Sequence, residues 1–180
     1  MRRQVNAALL CVCGAILIML FACAMAQRMS PQKDLPPSET LGATDGHVVL
    51  VASRSSEFKT ALVEKLIEAV VSEGLAVKTV GVGDLKEIDP SWYDVIVVIS
   101  NCVAWGLEQD AQLFLDRQKQ HSNIILVTTS GEGGWLPDKG DRDLDAISSA
   151  SKMTAMDGVV RDVMAKINVR LHNTEPNIRD

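Results

Sequence analysis

The sequence has 180 residues, of which 47% are hydrophobic and 23% are charged, which is enough for one globular domain plus an appendage. This composition excludes a disordered or collagen-like chain, because it lies close to the average of globular proteins. The formal net charge of -5 disfavours a general nucleic-acid-binding protein, which needs a basic surface to displace phosphate counterions. We therefore expect no nucleic-acid partner.

Residues 1–26 have the pattern of a targeting segment, predicted to form a hydrophobic signal or anchor helix. Two arginines precede an uncharged apolar stretch over 7–26, as in a secretory signal. Three outcomes remain open: residues 20–23 resemble a bacterial lipobox that would lipidate Cys23, residues 24–26 fit a leader-peptidase site, and an uncleaved stretch is long enough to anchor the chain. All three predict an extracytoplasmic domain, in the periplasm or at the cell surface, and the first and third attach it to the membrane.

Residues 27–46 are polar and contain three prolines and two glycines, so we expect a flexible tether here. A globular domain then follows over 47–172, with a short tail over 173–180. Cys102 is the only cysteine after the targeting segment, and the sequence therefore predicts no disulfide within the domain.

Strand and helix patterns alternate through the domain. Continuous apolar or alternating runs predict strands, and apolar stripes at helical spacing predict helices. The predicted strands are 48–52, 76–80, 95–99, 124–127 and a brief fifth at 144–147. The predicted helices are 57–73, 109–120 and 155–171, with room for one helical turn over 81–90. This alternation predicts an α/β fold with a doubly wound parallel sheet of four to five strands.

The order of these elements, with a hydroxyl-rich turn after the first strand, resembles that of the flavodoxin family over residues 47–171. The resemblance implies that FMN binds at the carboxyl ends of the first, third and fourth strands. It also implies electron transfer to a redox partner protein, with the bound flavin carrying the electrons.

Ser53, Arg54, Ser55 and Ser56 form the turn after the first predicted strand. The resemblance assigns them to the FMN phosphate, because hydroxyls, backbone N–H groups and a guanidinium at a helix N-terminus attract an anion. The turn departs from the family where a glycine gives way to Ser56 or Glu57, and the Glu57 carboxylate adds negative charge. The alternative is that Ser55 or Ser56 only caps the helix.

Trp105 and Trp135 follow the third and fourth predicted strands. The resemblance implies that both indole rings bracket the isoalloxazine of FMN, since flat rings gain dispersion contact by stacking. For Trp105 the alternative is ordinary packing within its loop.

Residues 145–151 resemble the attachment motif of extracytoplasmic FMN-binding domains, Asp-x-x-Ser-Gly-Ala-Thr, in which the last hydroxyl forms a phosphoester with FMN. Here the sequence is Asp-Ala-Ile-Ser-Ser-Ala-Ser, with Ser149 in the glycine position and Ser151 in the threonine position. The resemblance implies that Ser151 is the acceptor, whereas the alternative is that these serines cap the following helix.

Two functions follow from these patterns. One is a membrane-tethered, FMN-associated electron carrier, and the alternative is a flavin-free binding or interaction module with no catalytic activity. The sequence contains no nucleophile elbow of a Ser-His-Asp hydrolase, and its three histidines lie on different predicted elements. We therefore name no catalytic or metal-binding residue.

Overall fold

The computed structural model describes residues 33–174 except 44–45, 119–121 and 139–143. The chain divides into two units, 1–32 and 33–180, and all described residues belong to the second. The predicted targeting segment and residues 175–180 of the predicted tail lie outside the described residues. Among the helices that the structure describes, none combines the length and the apolar character needed to cross a membrane.

The described strands and helices follow the predicted order closely. The strands are β1 (Val48–Ser53), β2 (Ala76–Gly81), β3 (Val95–Val103), β4 (Gly106–Leu107), β5 (Ile124–Ser130) and β6 (Asp145–Ala150). The helices are α1 (Glu57–Ser72), α2 (Gln109–Arg117) and α3 (Met156–Thr174), with 3-10 turns at Val82–Glu87, Pro90–Trp92 and Met153–Ala155. Several bounds differ from prediction: β3, β5 and β6 extend beyond their predicted ends, and α2 ends before its predicted end. The two-residue strand β4, which was not predicted, pairs back onto β3.

The sheet has the order β2-β1-β3-β5-β6, and these five strands are parallel. The short β4 pairs antiparallel with the end of β3. The prediction of an α/β fold with a central parallel sheet is therefore confirmed. The central strands β1, β3 and β5 each begin with a continuous apolar run, as expected where helices or turns cover both faces of a sheet.

Two hydrophobic cores lie on opposite faces of the sheet, since successive residues of a strand point to opposite sides. On one face α1 and α3 pack against the strands, and Leu62 and Val163 are fully buried there. On the other face α2 and the 3-10 turn over Val82–Glu87 pack against the strands, and Leu115 is fully buried there. Alternate residues of the same strands therefore contribute to different cores.

Residues 33–43, which we call the strap, run along the domain, although the sequence predicted a free tether over 27–46. Leu41 and Val77 exchange two backbone hydrogen bonds of 2.8 Å, and Leu35 is 8% exposed. Ser38 donates its N–H to the Thr79 carbonyl and accepts the Thr79 N–H on its hydroxyl, both at 3.0 Å. The strap therefore covers the outer edge of β2, which would otherwise expose unpaired backbone groups.

Two glycines make room for the start of the strap. A Cβ atom at Gly81 would lie 2.5 Å from the Asp34 Cβ, and one at Gly83 would lie 2.7 Å from an Asp34 carboxylate oxygen. The Gly83 N–H donates to the Asp34 carboxylate at 3.1 Å. Larger residues at these positions would push Asp34 away, so the glycines fix where the strap begins to pack.

Candidate functional site

Ligands of open parallel α/β sheets bind beyond the carboxyl ends of the strands, where the strand order reverses. In this sheet the reversal lies between β1 and β3. The seven residues that the sequence singled out lie at or after the carboxyl ends of strands: Ser53 is the last residue of β1, and the others, Arg54, Ser55, Ser56, Trp105, Trp135 and Ser151, follow the ends of β1, β3, β5 and β6. The structure therefore places them at one edge of the sheet, which we call the carboxyl edge.

The serines after β1 make hydrogen bonds within the protein. The Ser53 side chain is buried and donates to the Arg54 carbonyl at 2.9 Å. The Ser55 N–H donates to the Lys33 carbonyl of the strap at 2.6 Å. Ser56 is the N-cap of α1, and its hydroxyl accepts the Lys59 N–H at 3.3 Å. The capping alternative is thus confirmed for Ser56, while a role in binding FMN stays a prediction.

Arg54 lies among three carboxylates. Its Nη1 is 2.8 Å from an Asp34 oxygen, its Nε is 3.2 Å from a Glu108 oxygen, and its Nη2 pairs with Asp110. Burial alone would lower the pKa of Arg54, but the neighbouring carboxylates outweigh burial and raise it. The Arg54 guanidinium is therefore held in place by carboxylates of the protein itself. Its planar group of N–H donors matches the geometry of carboxylate oxygens.

Lys59 and Glu108 complete this group beneath the turn. The Lys59 residue is 1% exposed, and burial lowers its pKa to about 8, although the Glu108 carboxylate opposes the shift. Burial raises the pKa of Glu108, against the opposing effects of Lys59 and Arg54. We call Asp34, Arg54, Lys59, Glu108 and Asp110 the charge cluster. It joins two cations to three carboxylates at the point where the strand order reverses.

Trp105 lies at the tip of the β3–β4 hairpin. Ala104 and Trp105 have φ angles of 48° and 64°, so both occupy the left-handed region. The Trp105 residue is 84% exposed, which is inconsistent with the alternative of ordinary packing in the loop. An L-residue in the left-handed region costs about 1–2 kcal/mol, and no burial of the indole within the domain compensates for that cost.

Trp135 lies in the connection between β5 and β6, and its carbonyl accepts from the Thr128 hydroxyl at 2.6 Å. Gly133 in this connection has a φ angle of 75°, and a Cβ there would lie 2.7 Å from the Ala150 nitrogen. The connection therefore needs glycine to pass so close to the end of β6. Trp135 itself is only partly exposed, unlike Trp105.

The motif over 145–151 spans the whole length of β6. Asp145 begins the strand and pairs with Lys166 and Arg170 of α3, whereas Ser151 follows the other end. Ser151 is exposed, and its N–H donates to the Ser130 carbonyl at 2.7 Å. The acidic residue of the motif thus fastens α3, while the candidate acceptor hydroxyl lies at the carboxyl edge.

The charge cluster had no counterpart in the sequence-based reasoning. Arg54 lies 20, 54 and 56 positions from its three carboxylate partners, so no local motif relates them. Among the residues that the structure describes, no three His, Cys, Asp or Glu side chains are grouped as metal ligands.

No protein-family model matches the chain, and no curated protein matches it. The resemblance to flavodoxins therefore stays a prediction that rests on the order of elements and the motifs given above.

Proposed function

We propose that the chain is a membrane-tethered, extracytoplasmic binding module that has a flavodoxin-like doubly wound fold and works without flavin. Two features support the fold assignment: the order of the five parallel strands is 2-1-3-4-5 when they are numbered along the chain, and helices pack on both faces. The apolar stretch over 7–26 supports the tether. One observation carries the flavin-free function, and it is the charge cluster at the first turn.

An FMN phosphate at this turn would need free N–H donors and an available cation. The Ser55 N–H instead meets the Lys33 carbonyl, and the Arg54 guanidinium meets Asp34, Glu108 and Asp110. A bound phosphate would lie next to three carboxylates, and releasing Arg54 to meet it would leave partly buried charges unpaired. The pair of Arg54 with Glu108 is the most buried of the three, with side chains 18% and 10% exposed, and leaving a buried charge without its partner is destabilising. The turn is therefore better suited to fixing the strap than to holding a phosphate.

The binding surface is the carboxyl edge, where the Trp105 indole projects from its hairpin. Tryptophan is among the residues that contribute most to binding energy at interfaces. The edge also has a rigid base, because the charge cluster links the strap to the turn after β1 and to the start of α2. Such an edge presents a large apolar side chain from a fixed scaffold, as a binding module requires.

The FMN-associated electron carrier remains a second candidate because Ser151 is exposed at the same edge. A phosphoester at the Ser151 hydroxyl would fasten FMN without using the turn after β1. In that case Trp105 and Trp135 would flank the flavin, as the resemblance implies.

The two candidate functions predict different visible spectra for the purified protein. We would express the full chain with its N-terminal segment together with a flavin transferase, purify it in detergent, and record visible spectra before and after denaturation. The binding module is expected to be colourless, and added FMN is expected to leave its tryptophan emission unquenched. A yellow chromophore that passes the filter after denaturation would show noncovalent FMN, and one that stays would show covalent FMN. Loss of retained colour in Ser151→Ala, with colour kept in Ser149→Ala, would assign the attachment to Ser151 and overturn the flavin-free function.

A further inference from the structure

A cavity of about 210 Å³ lies at the edge of the sheet where the parallel strands begin, opposite the carboxyl edge. His47 and Leu75 in its wall directly precede β1 and β2. We call it the amino-edge cavity, and its described lining residues are His47, Glu73, Leu75, Asn168, Leu171 and His172. Pockets for drug-sized ligands measure about 300–1,000 Å³, so this cavity suits a smaller guest. Two histidines that are far apart in the sequence thus line one cavity.

The tautomer of the His47 imidazole is fixed by its neighbour. Its Nδ1 lies 2.9 Å from an Asp94 carboxylate oxygen. Burial opposes ionisation of Asp94, but hydrogen bonds from the Val48 N–H and from His47 lower its pKa overall. The ionised carboxylate can only accept hydrogen bonds, so Nδ1 of His47 must donate. The neutral ring is therefore left with Nε2 as an acceptor.

The His172 imidazole has the same tautomer for a similar reason. Its Nδ1 lies 2.6 Å from the Asn168 carbonyl oxygen, one helical turn earlier in α3. A carbonyl oxygen cannot donate, so Nδ1 donates and Nε2 of the neutral ring remains an acceptor. Glu73, the residue that caps the end of α1, adds an exposed carboxylate. The lining residues therefore supply three groups that accept hydrogen bonds.

The electrostatics of the amino-edge cavity favour a cation. Among its described lining residues Glu73 is negatively charged, and none is a lysine or an arginine. The last turns of α1 and α3 both lie beside the cavity, and the carboxyl end of a helix has a partial negative charge. The last turn of α1 contains no basic residue that would offset this charge. Leu75 and Leu171 add apolar surface to the same wall.

We propose that the amino-edge cavity binds a small aliphatic primary amine in its ammonium form. A primary ammonium has three N–H donors, which match the acceptors of His47, His172 and Glu73. The aliphatic chain of the amine packs against Leu75 and Leu171. This site lies away from the carboxyl edge and does not depend on the membrane tether, so the proposed function can fail without affecting it.

The test uses the full chain, labelled with ¹⁵N, in detergent at a mildly alkaline pH, at which an ordinary imidazole is neutral. NMR of the ring nitrogens reads the tautomers first, and we expect the proton on Nδ1 in both His47 and His172. n-Butylammonium should then shift both Nε2 signals, with a millimolar dissociation constant because so small a ligand gains little affinity. n-Butanol lacks the charge and tetramethylammonium lacks the N–H donors, so each should bind at least about tenfold more weakly.

Variants of the lining residues test whether the amine binds in this cavity. Glu73→Gln and His172→Phe should each weaken n-butylammonium binding at least about tenfold, because each removes one acceptor. Both residues are exposed near helix ends, and circular dichroism checks that the fold is retained. Glu64→Gln is the matched control, since it removes an exposed carboxylate of α1 that does not line the cavity, and it should leave binding unchanged.

Several results would overturn the proposal. A proton on Nε2 of either ring would remove an acceptor that the site needs. Equal binding of n-butylammonium and tetramethylammonium would mean that charge alone attracts the ligand, and no shift with n-butylammonium would mean that the cavity takes no amine. Equal affinities in the Glu73 and Glu64 variants would place the amine elsewhere. If Zn²⁺ shifts both Nε2 signals and n-butylammonium shifts neither, the cavity holds a metal ion instead.

Discussion

Lys59 is a residue whose position carries an energetic cost. Lys59 is only 1% exposed, and removing a charged amine from water disfavours its protonated form. Burial lowers the pKa of Lys59 to about 8 from the ordinary 10.5, and the Glu108 carboxylate offsets only part of this effect. The buried, protonated amine therefore lowers the free energy of unfolding at neutral pH, and its attraction to Glu108 offsets only part of this loss.

The stability of the protein should therefore rise with pH above about 8. Between about 8 and 10.5 the unfolded chain holds a proton on Lys59 that the folded chain has lost, so the free energy of unfolding increases with pH. The difference between pKa values of about 8 and 10.5 corresponds to a total rise of about 3 kcal/mol in the free energy of unfolding. Urea unfolding followed by circular dichroism at several alkaline pH values measures the rise, which we expect to be absent in Lys59→Met.

Lys65→Met is the matched control for this prediction. The Lys65 side chain lies on the same helix, is 48% exposed and pairs with Asp157 at the surface. We expect Lys65→Met to keep the alkaline rise of the unmodified chain. An equal pH slope in the Lys59 and Lys65 variants would contradict the assignment, because the slope would then come from groups elsewhere in the chain.

At the scale of elements, the strap is the part whose structure differs most from its prediction. Its prolines and polar residues are typical of a linker, but its backbone groups pair with β2 at Val77 and Thr79. Whether a polar segment pairs with an edge strand depends on a partner far away in the sequence, and no local pattern reports that. The sequence predicted a flexible tether over 27–46, whereas in the structure residues 33–43 pair with β2.

The strap should protect the outer amides of β2 from hydrogen exchange. In Gly81→Ala the new Cβ would lie 2.5 Å from the Asp34 Cβ, so the start of the strap must move away. We expect faster exchange at the Val77 and Thr79 amides, measured by hydrogen–deuterium exchange with mass spectrometry. Gly46→Ala is the control, since a Cβ there meets nothing within 4 Å, and it should leave the protection unchanged. Unchanged protection in both variants would show that the strap does not cover this edge in solution.

The other elements follow the same rule: those with a local sequence signal were predictable, and those without one were not. The strands β1, β3 and β5 were predictable because each contains a continuous apolar run, and α1 was predictable from its stripe and its Ser56 cap. The strand β4 was missed because its turn lacks the Asn-Gly signal of a tight hairpin. The candidate site residues lie at the carboxyl edge that the order of elements predicted, and their role in binding stays a prediction. The carboxylate partners of Arg54 were not foreseen.

At the scale of the whole molecule, a single sheet separates two cores that share its central strands. Leu62 of α1 is fully buried on one face, and Leu115 of α2 is fully buried on the other. Each leucine packs only within its own core, but both cores need β1 and β3 in place. The domain is therefore expected to unfold in one cooperative step, while changes in the two cores act independently of each other.

Leucine truncations test both parts of this expectation. Leu62→Ala and Leu115→Ala should each lower the free energy of unfolding by about 2–5 kcal/mol, since each leaves a cavity in a close-packed core. Because the sheet separates the two sites, the loss in the double variant should equal the sum of the single losses within about 0.5 kcal/mol. Leu113→Ala is the control within α2, because Leu113 is 52% exposed, and its cost should stay below about 0.5 kcal/mol. Urea unfolding followed by both circular dichroism and tryptophan fluorescence measures these losses. Coincident curves are expected from shared central strands, whereas separate transitions would mean that the sheet does not couple the two cores.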